Sequence, residues 1–197
     1  MNILTKIKSV ILITKMEDKK ILISSLLAFV ISLSISFLLP SEAFALSIPN
    51  FHKVDKQLYR GGVLKTEQDI LNLKKIDIRT VINLEWGGVF RKASNEIKKE
   101  QEWCQKADIK FIHIPLFPTK APKKNDVDKI LALIETNDKP IYIHCRHGVD
   151  RTGFITAMYR IKYEQWTAAR AYSEMINLGF HHYFFYWKKS LLRYTSI

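Results

Sequence analysis

The chain is poor in everything that would make it a stapled, repetitive or disordered protein. Two cysteines among 197 residues, Cys104 and Cys145, exclude a disulfide-built scaffold. Seven Gly and six Pro, with no Gly-, Ser- or Pro-rich stretch and no internal repeat, exclude a string of domains on flexible linkers. Acids are scarce: 19 Asp and Glu face 31 Lys and Arg, a formal +12. That excess points to polyanionic partners or to a solvated basic surface. The Lys residues are scattered and form no basic arm, so nucleic acid is not an expected partner. Anionic lipid at a membrane surface and phosphorylated molecules remain candidates.

Apolar residues make up 47% of the chain and aromatics 12%, ample material for one packed core of ordinary domain size. The first 45 residues differ from the rest. Lys6, Lys8, Lys15, Lys19 and Lys20 precede an uncharged run from Ile21 to Leu39, followed by Pro40 and the triplet Ala43-Phe44-Ala45. Positive region, apolar region and small-x-small triplet together predict a signal peptide cut after Ala45. The alternative is an uncleaved membrane anchor at residues 21–39, since 19 uncharged residues at about 1.5 Å each nearly span a hydrocarbon core. Either reading exports the domain at 46–197 to the periplasm or beyond. Residues 1–45 hold five Lys and three acids, so the remainder keeps 26 basic and 16 acidic residues, a formal +10.

From residue 46 onward, short β-branched runs alternate with amphipathic stretches, which predicts one α/β domain with a mostly parallel central sheet flanked by helices. Strands are expected at 57–60, 80–84 and 110–116, the last stopped by Pro115 and Pro118. Thr66 and Asp69 form a capping box for a helix ending near Lys75, and a second helix runs from about Ser94 to Ala107. There Cys104 shares the apolar side with Ile97 and Ala107, which makes it a small buried hydrophobe, a redox partnership with Cys145 being the lesser alternative. Asn125 is a candidate cap for a helix burying Val127, Ile130, Leu131 and Ile134. Ile141–His144 is a short apolar strand, the type found in the middle of a sheet covered on both faces. A helix from Thr152 turns Phe154, Ile155, Met158 and Tyr159 inward. Another, capped by Thr167, carries Ala171, Tyr172 and Met175, and the aromatic tail from Phe180 to Trp187 reads as a final packed helix.

The chemistry lies in His144-Cys145-Arg146-His147-Gly148-Val149-Asp150-Arg151-Thr152-Gly153. A loop this short between a buried strand and a helix can turn its backbone N–H groups inward and form an anion nest at the helix N-terminus. Those donors, with Arg151, favour the thiolate of Cys145 and make it a nucleophile. Arg151 suits a bidentate grip on phosphoryl oxygens, and Gly148 permits close backbone approach or positive φ. Thr152 can donate to the sulfur, and His144 is expected behind the loop, fixing backbone groups. Arg146, His147, Val149 and Gly153 complete the substrate-binding set. Two basic side chains, Arg146 and His147, favour a ligand with several phosphates, helped by Lys120, Lys123 and Lys124. Arg60 either joins them or buttresses the fold.

This segment resembles the signature loop of the protein tyrosine phosphatase superfamily: His-Cys, five residues, Arg, then Ser or Thr. The wider chain is similar to bacterial dual-specificity-like members at Leu58-Tyr59-Arg60-Gly61-Gly62, Thr80-Val81-Ile82-Asn83-Leu84, Ile114-Pro115-Leu116, and Glu174-Met175 before Gly179. The resemblance covers most of residues 50–180. It implies that Cys145 is phosphorylated, that Arg151 binds the phosphoryl group, and that water hydrolyses the cysteinyl phosphate, with no metal and no cofactor. The substrates it implies are phosphoproteins, with inositol phosphates or phosphoinositides as the alternative.

One departure stands out. The family places a general-acid Asp on the loop before the last strand, but here that stretch, 116–123, holds no carboxylate. Asp126 and Asp128 read as first-turn acids complementing a helix dipole. Asp150 is the preferred acid, its place being similar to the loop Asp of myotubularin-type lipid phosphatases. A sulfurtransferase is disfavoured by the Arg151-Thr152-Gly153 ending, and a non-catalytic phosphate-binding module is the alternative that the missing Asp leaves open.

Overall fold

The computed structural model describes residues 48–87 and 91–195. The leader expected at 1–45 lies outside these residues. Among the described residues no helix is long and apolar enough to cross a membrane.

Five strands form one sheet: β1 (His52–Lys53), β2 (Leu58–Gly61), β3 (Thr80–Asn83), β4 (Lys110–His113) and β5 (Ile141–His144). Their order is β1-β2-β5-β3-β4. Only β1 runs antiparallel, to β2; the other neighbours are parallel. β5 therefore lies in the middle, with all four residues buried, as its unbroken apolar character requires. Side chains alternate between the two faces. Leu58, Ile82, Ile141 and Ile143 enter one core, and Val81 and Tyr142 enter the other.

Among the described residues six helices cover the faces: α1 (Glu67–Lys75), α2 (Arg91–Lys106), α3 (Lys124–Thr136), α4 (Asp150–Glu164), α5 (Ala168–Asn177) and α6 (Phe185–Thr195). α1 starts at the expected capping box, Thr66 and Asp69 satisfying each other's backbone N–H groups. Thr167 caps α5 through the Arg170 N–H. α3 buries Val127, Ile130, Leu131 and Ile134, but it begins at Lys124. Asn125 is thus inside the first turn and is not the cap; the N-cap is Lys123, without a side-chain bond. β4 also ends earlier than expected, at His113, since Pro115 has no N–H to continue the ladder. Ile114 and Leu116 still donate to Asn83 and Leu84.

The tail is not one helix from Phe180. At the end of α5 the Gly179 N–H bonds Ile176 O and the Phe180 N–H bonds Met175 O, with Gly179 at φ +91°. This is a Schellman ending, whose left-handed position favours glycine. It throws residues 179–184 across the loop after β5 before α6 begins. Phe180 and Trp187 are buried, whereas Tyr183, Phe185 and Tyr186 are exposed. Cys104 is buried, as expected, in a core cluster against which Ala107 packs, and both cysteines are free thiols. Burial, reinforced by Glu100, pushes the Cys104 thiol pKa up, so it is a poor nucleophile.

Candidate active site

Residues 145–149 join β5 to α4. Their carbonyl groups are held from outside: Arg146 O accepts from the Val63 N–H at 3.3 Å, His147 O from Asn50 Nδ2 at 2.9 Å, and Gly148 O from Arg60 Nη2 at 2.8 Å. In a trans peptide the C=O and the following N–H point in opposite directions. Anchoring three carbonyls outward therefore turns the N–H groups of His147, Gly148 and Val149 inward, and none of them has a partner among the described residues. The helix start adds the unpaired N–H groups of its first turn. The result is the anion nest that the loop length suggested. Cys145 lies at its base, 2% exposed.

Gly148 has φ +74°, and a Cβ there would overlap the Gly61–Gly62 peptide. Only glycine fits so close an approach. Tyr142 Oη completes this packing by donating to Gly62 O at 2.6 Å.

Arg151, largely buried in the first turn of α4, sends Nη1 towards Leu84 O at 3.4 Å and Leu116 O at 3.5 Å. Both contacts are long for hydrogen bonds. They suspend the guanidinium between the ends of β3 and β4 while leaving its fork uncommitted. Thr152 Oγ1 is buried without a partner, so the bond to sulfur expected of it is not made here.

Arg60 is fully buried and cannot reach a substrate, so of its two roles the structure selects the buttress. Burial pushes its pKa down to about 10, against the pull of Glu174 and Cys145. It remains a cation beneath the loop at neutral pH.

His144 does not fix backbone groups as expected. Its Nε2 pairs with Glu100 Oε1 at 2.7 Å, and Glu100 Oε2 accepts from Asn83 Nδ2 at 2.9 Å. Burial works against the imidazolium, but the charge and hydrogen bond of Glu100, then Glu85 and Cys145, outweigh it and raise the His144 pKa. Glu100 was missed, although a signal existed: it shares the apolar stripe of α2 with Ile97 and Cys104 at helical spacing.

The structure also revises Arg146. Its Nη1 bonds Glu96 at 2.7 Å and approaches Glu85 at 3.7 Å, so its charge is already met and the case for a multiply phosphorylated ligand loses one of its two loop cations. Burial holds the Glu85 carboxyl above its ordinary value. His147, by contrast, keeps its ring exposed and without a partner among the described residues.

Asp150, the first residue of α4, meets a residue that sequence reading overlooked. His181 donates its backbone N–H to Oδ1 at 3.1 Å, and its Nδ1 lies 2.9 and 3.0 Å from the two carboxylate oxygens. Gly179 packs on Val149 to bring His181 there. Asp126 lies in the first turn of α3, whereas Asp128 is one turn further on and pairs with Lys124 on the exposed face. Above the ends of β3 and β4, Trp86 and Phe117 form an exposed edge-to-face pair with centroids 5.2 Å apart, and Lys120 lies over Phe117.

A buried Cys at the mouth of a central parallel strand, an inward-facing nest and an Arg in the first helical turn form the site arrangement of the protein tyrosine phosphatase class. The family described as "Tc-R-P: Polymorphic toxin system, DSP-PTPase phosphatase" matches residues 58–165, more than half of the chain, and the chain belongs to it. The chain is 27% identical over 136 residues to the dual specificity protein phosphatase TpbA of Pseudomonas aeruginosa, covering 66% of this chain and 55% of that one. It is 30% identical over 132 residues to inositol diphosphatase DSP3 of Arabidopsis thaliana, covering 64% and 60%. It thus spans little more than half the length of TpbA. A crystal structure of P. aeruginosa TpbA in complex with pTyr superposes with a TM-score of 0.55 at 23% identity, over 66% of this chain and 75% of that one. That likeness establishes the fold.

Proposed function

We propose that the domain hydrolyses phosphate monoesters of phosphoproteins, in the manner of protein tyrosine and dual-specificity phosphatases. The observation that carries this is the loop in which the carbonyls of Arg146, His147 and Gly148 are tied outward, leaving a nest of N–H groups over a buried Cys145. The thiolate attacks phosphorus, the S–P bond forms and the P–O bond to the leaving group breaks. Arg151 and the nest hold the equatorial oxygens as charge builds on them. Asp150, held by His181, gives its proton to the leaving oxygen and takes one back from the water that attacks the cysteinyl phosphate. Thr152 Oγ1 donates to the departing sulfur.

A second reading is hydrolysis of inositol phosphates, favoured by the likeness to an inositol diphosphatase and by the basic loop of Lys120 and Lys123. The basic and apolar leader supports placing the enzyme outside the cytoplasm; a protein recovered in the soluble cytosolic fraction with residues 1–45 intact would sink that placement.

Phosphate release is to be measured with wild type and Cys145→Ser, from phosphotyrosyl peptide, phosphoinositide and inositol hexakisphosphate, with chelator present. Turnover by wild type alone supports the thiolate route, and the best substrate decides between the two readings. Absence of release from all three would leave a phosphate-binding module.

A further inference from the structure

A cavity of about 680 Å³ opens beside the nest, on the side of Arg146 and His147. Its volume lies in the ordinary range of ligand sites, yet the reaction described above uses none of its other walls. One wall is α2, which places Glu96, Lys99 and Trp103 on one face at helical spacing. The opposite wall is Val63, Leu64 and Lys65, a segment bound to the loop through the Val63 N–H to Arg146 O and to α1 through the Lys65 N–H to Asp69 Oδ2 at 2.9 Å. Both walls are backbone-anchored, so the cavity is preformed.

Its charges are not equivalent. Arg146 and Glu96 neutralise each other. The ammonium groups of Lys65 and Lys99 have neither an ion-pair nor a hydrogen-bond partner among the described residues, which leaves a positive field beside the apolar Val63, Leu64 and Trp103 of the two walls. A densely phosphorylated small molecule would gain nothing from those apolar side chains. An extended peptide suits both features, because alternate side chains separated by about 3.3 Å per residue can offer an acid and an apolar group in turn. The cavity also adjoins the loop, since Arg146 and His147, the two residues after the nucleophile, line it.

We propose that this cavity is a peptide subsite that reads residues flanking the phosphorylated one, Lys65 and Lys99 pairing with a flanking acidic side chain while Trp103 and Leu64 pack an apolar one. The inference rests on the phosphatase reading and gives it a substrate class, an acidic phosphopeptide.

The test compares kcat/KM of the full chain on two phosphotyrosyl peptides, one with Asp and Glu beside the phosphotyrosine and one with Ala there, and on para-nitrophenyl phosphate and inositol hexakisphosphate. Wild type should prefer the acidic peptide, and Lys65→Ala with Lys99→Ala should lower the acidic-to-neutral ratio roughly fivefold, through KM, as expected for two exposed ion pairs. Trp103→Leu should lower kcat/KM for both peptides relative to para-nitrophenyl phosphate. Equal rates on the two peptides, or a lysine dependence shared in proportion by all substrates, overturns the subsite. So does a lysine dependence confined to inositol hexakisphosphate, which would assign the cavity to polyphosphates. Failure of the phosphatase reading shows separately, as no turnover of para-nitrophenyl phosphate by wild type. Peptide binding to Cys145→Ser, followed by fluorescence polarisation, then still tests the same lysine dependence.

Discussion

The segment β5–loop–α4 and the loop of residues 178–184 meet at Asp150, yet they are built on different terms. The first is largely buried, apart from the Arg146 and His147 side chains: a central strand, three carbonyls fixed from behind, and a helix whose residues 151–159 are all buried. The second is held by a glycine turn and by Phe180, while His182 and Tyr183 are exposed, Tyr183 to 60%. One region fixes nucleophile and anion nest within a few covalently linked residues. The other contributes proton handling by packing a distant histidine onto that frame. The nest should therefore tolerate almost no change, while the rim should shift activity gradually and according to the substrate.

The largest effect expected is at the nest itself. Cys145→Ser should lower turnover at least about 10³-fold, because no other group can take the phosphoryl; burst and steady-state release would measure it, and residual turnover near wild type would move the nucleophile elsewhere. Behind the nest, Glu100→Ala leaves His144 buried without its carboxylate. It should cost about 3–5 kcal/mol, the usual consequence of breaking a buried pair, seen as a drop in Tm with the fold retained by circular dichroism. The pH dependence has a definite sign. His144 is raised above its ordinary value of 6.5 in the fold, so its contribution is complete below that value and fades as pH rises through the folded pKa. Wild-type Tm should fall over that interval, and Glu100→Gln should flatten the slope; a slope unchanged by Glu100→Gln would assign it to other groups.

At the rim, Asp150→Asn should reduce kcat about 10²-fold for alkyl phosphates, whose leaving oxygen needs a proton, and little for para-nitrophenyl phosphate. His181→Ala should follow the same pattern by a smaller factor, on the order of tenfold, with an altered pH–rate profile. Equal losses on good and poor leaving groups would remove this pair from proton transfer. The smallest effects are far from the site. Thr66→Ala should cost about 1 kcal/mol through its cap, and Asn125→Ala less than about 0.5 kcal/mol, since Asn125 caps nothing.

These contrasts also show what could be read in advance. Strand β5, the buried stripe of α3 and the Thr66 and Thr167 caps are local patterns and were legible. Asn125 misled because a good capping residue inside the first turn looks the same in sequence as one just before it. The aromatic tail misled because Phe180 and Trp187 were counted as one periodicity, although residues 180–184 are a turn after Gly179 and the helix begins only at Phe185. The partners of the loop side chains were hidden: His144 is met by Glu100, 44 positions earlier, Arg146 by Glu96, 50 positions earlier, and Asp150 by His181, 31 positions later.

The sequence by itself determined that a thiolate and an Arg six positions on would flank an anion nest. A strand, a five-residue loop and a helix start are contiguous, and their covalent geometry leaves the backbone little alternative. Only the tertiary structure decided which charges remain free to act on a ligand. Arg146 and Lys99 are both basic residues beside the same cavity, and no local pattern separates them. They differ because helix packing sets a carboxylate against one guanidinium and leaves the other ammonium exposed.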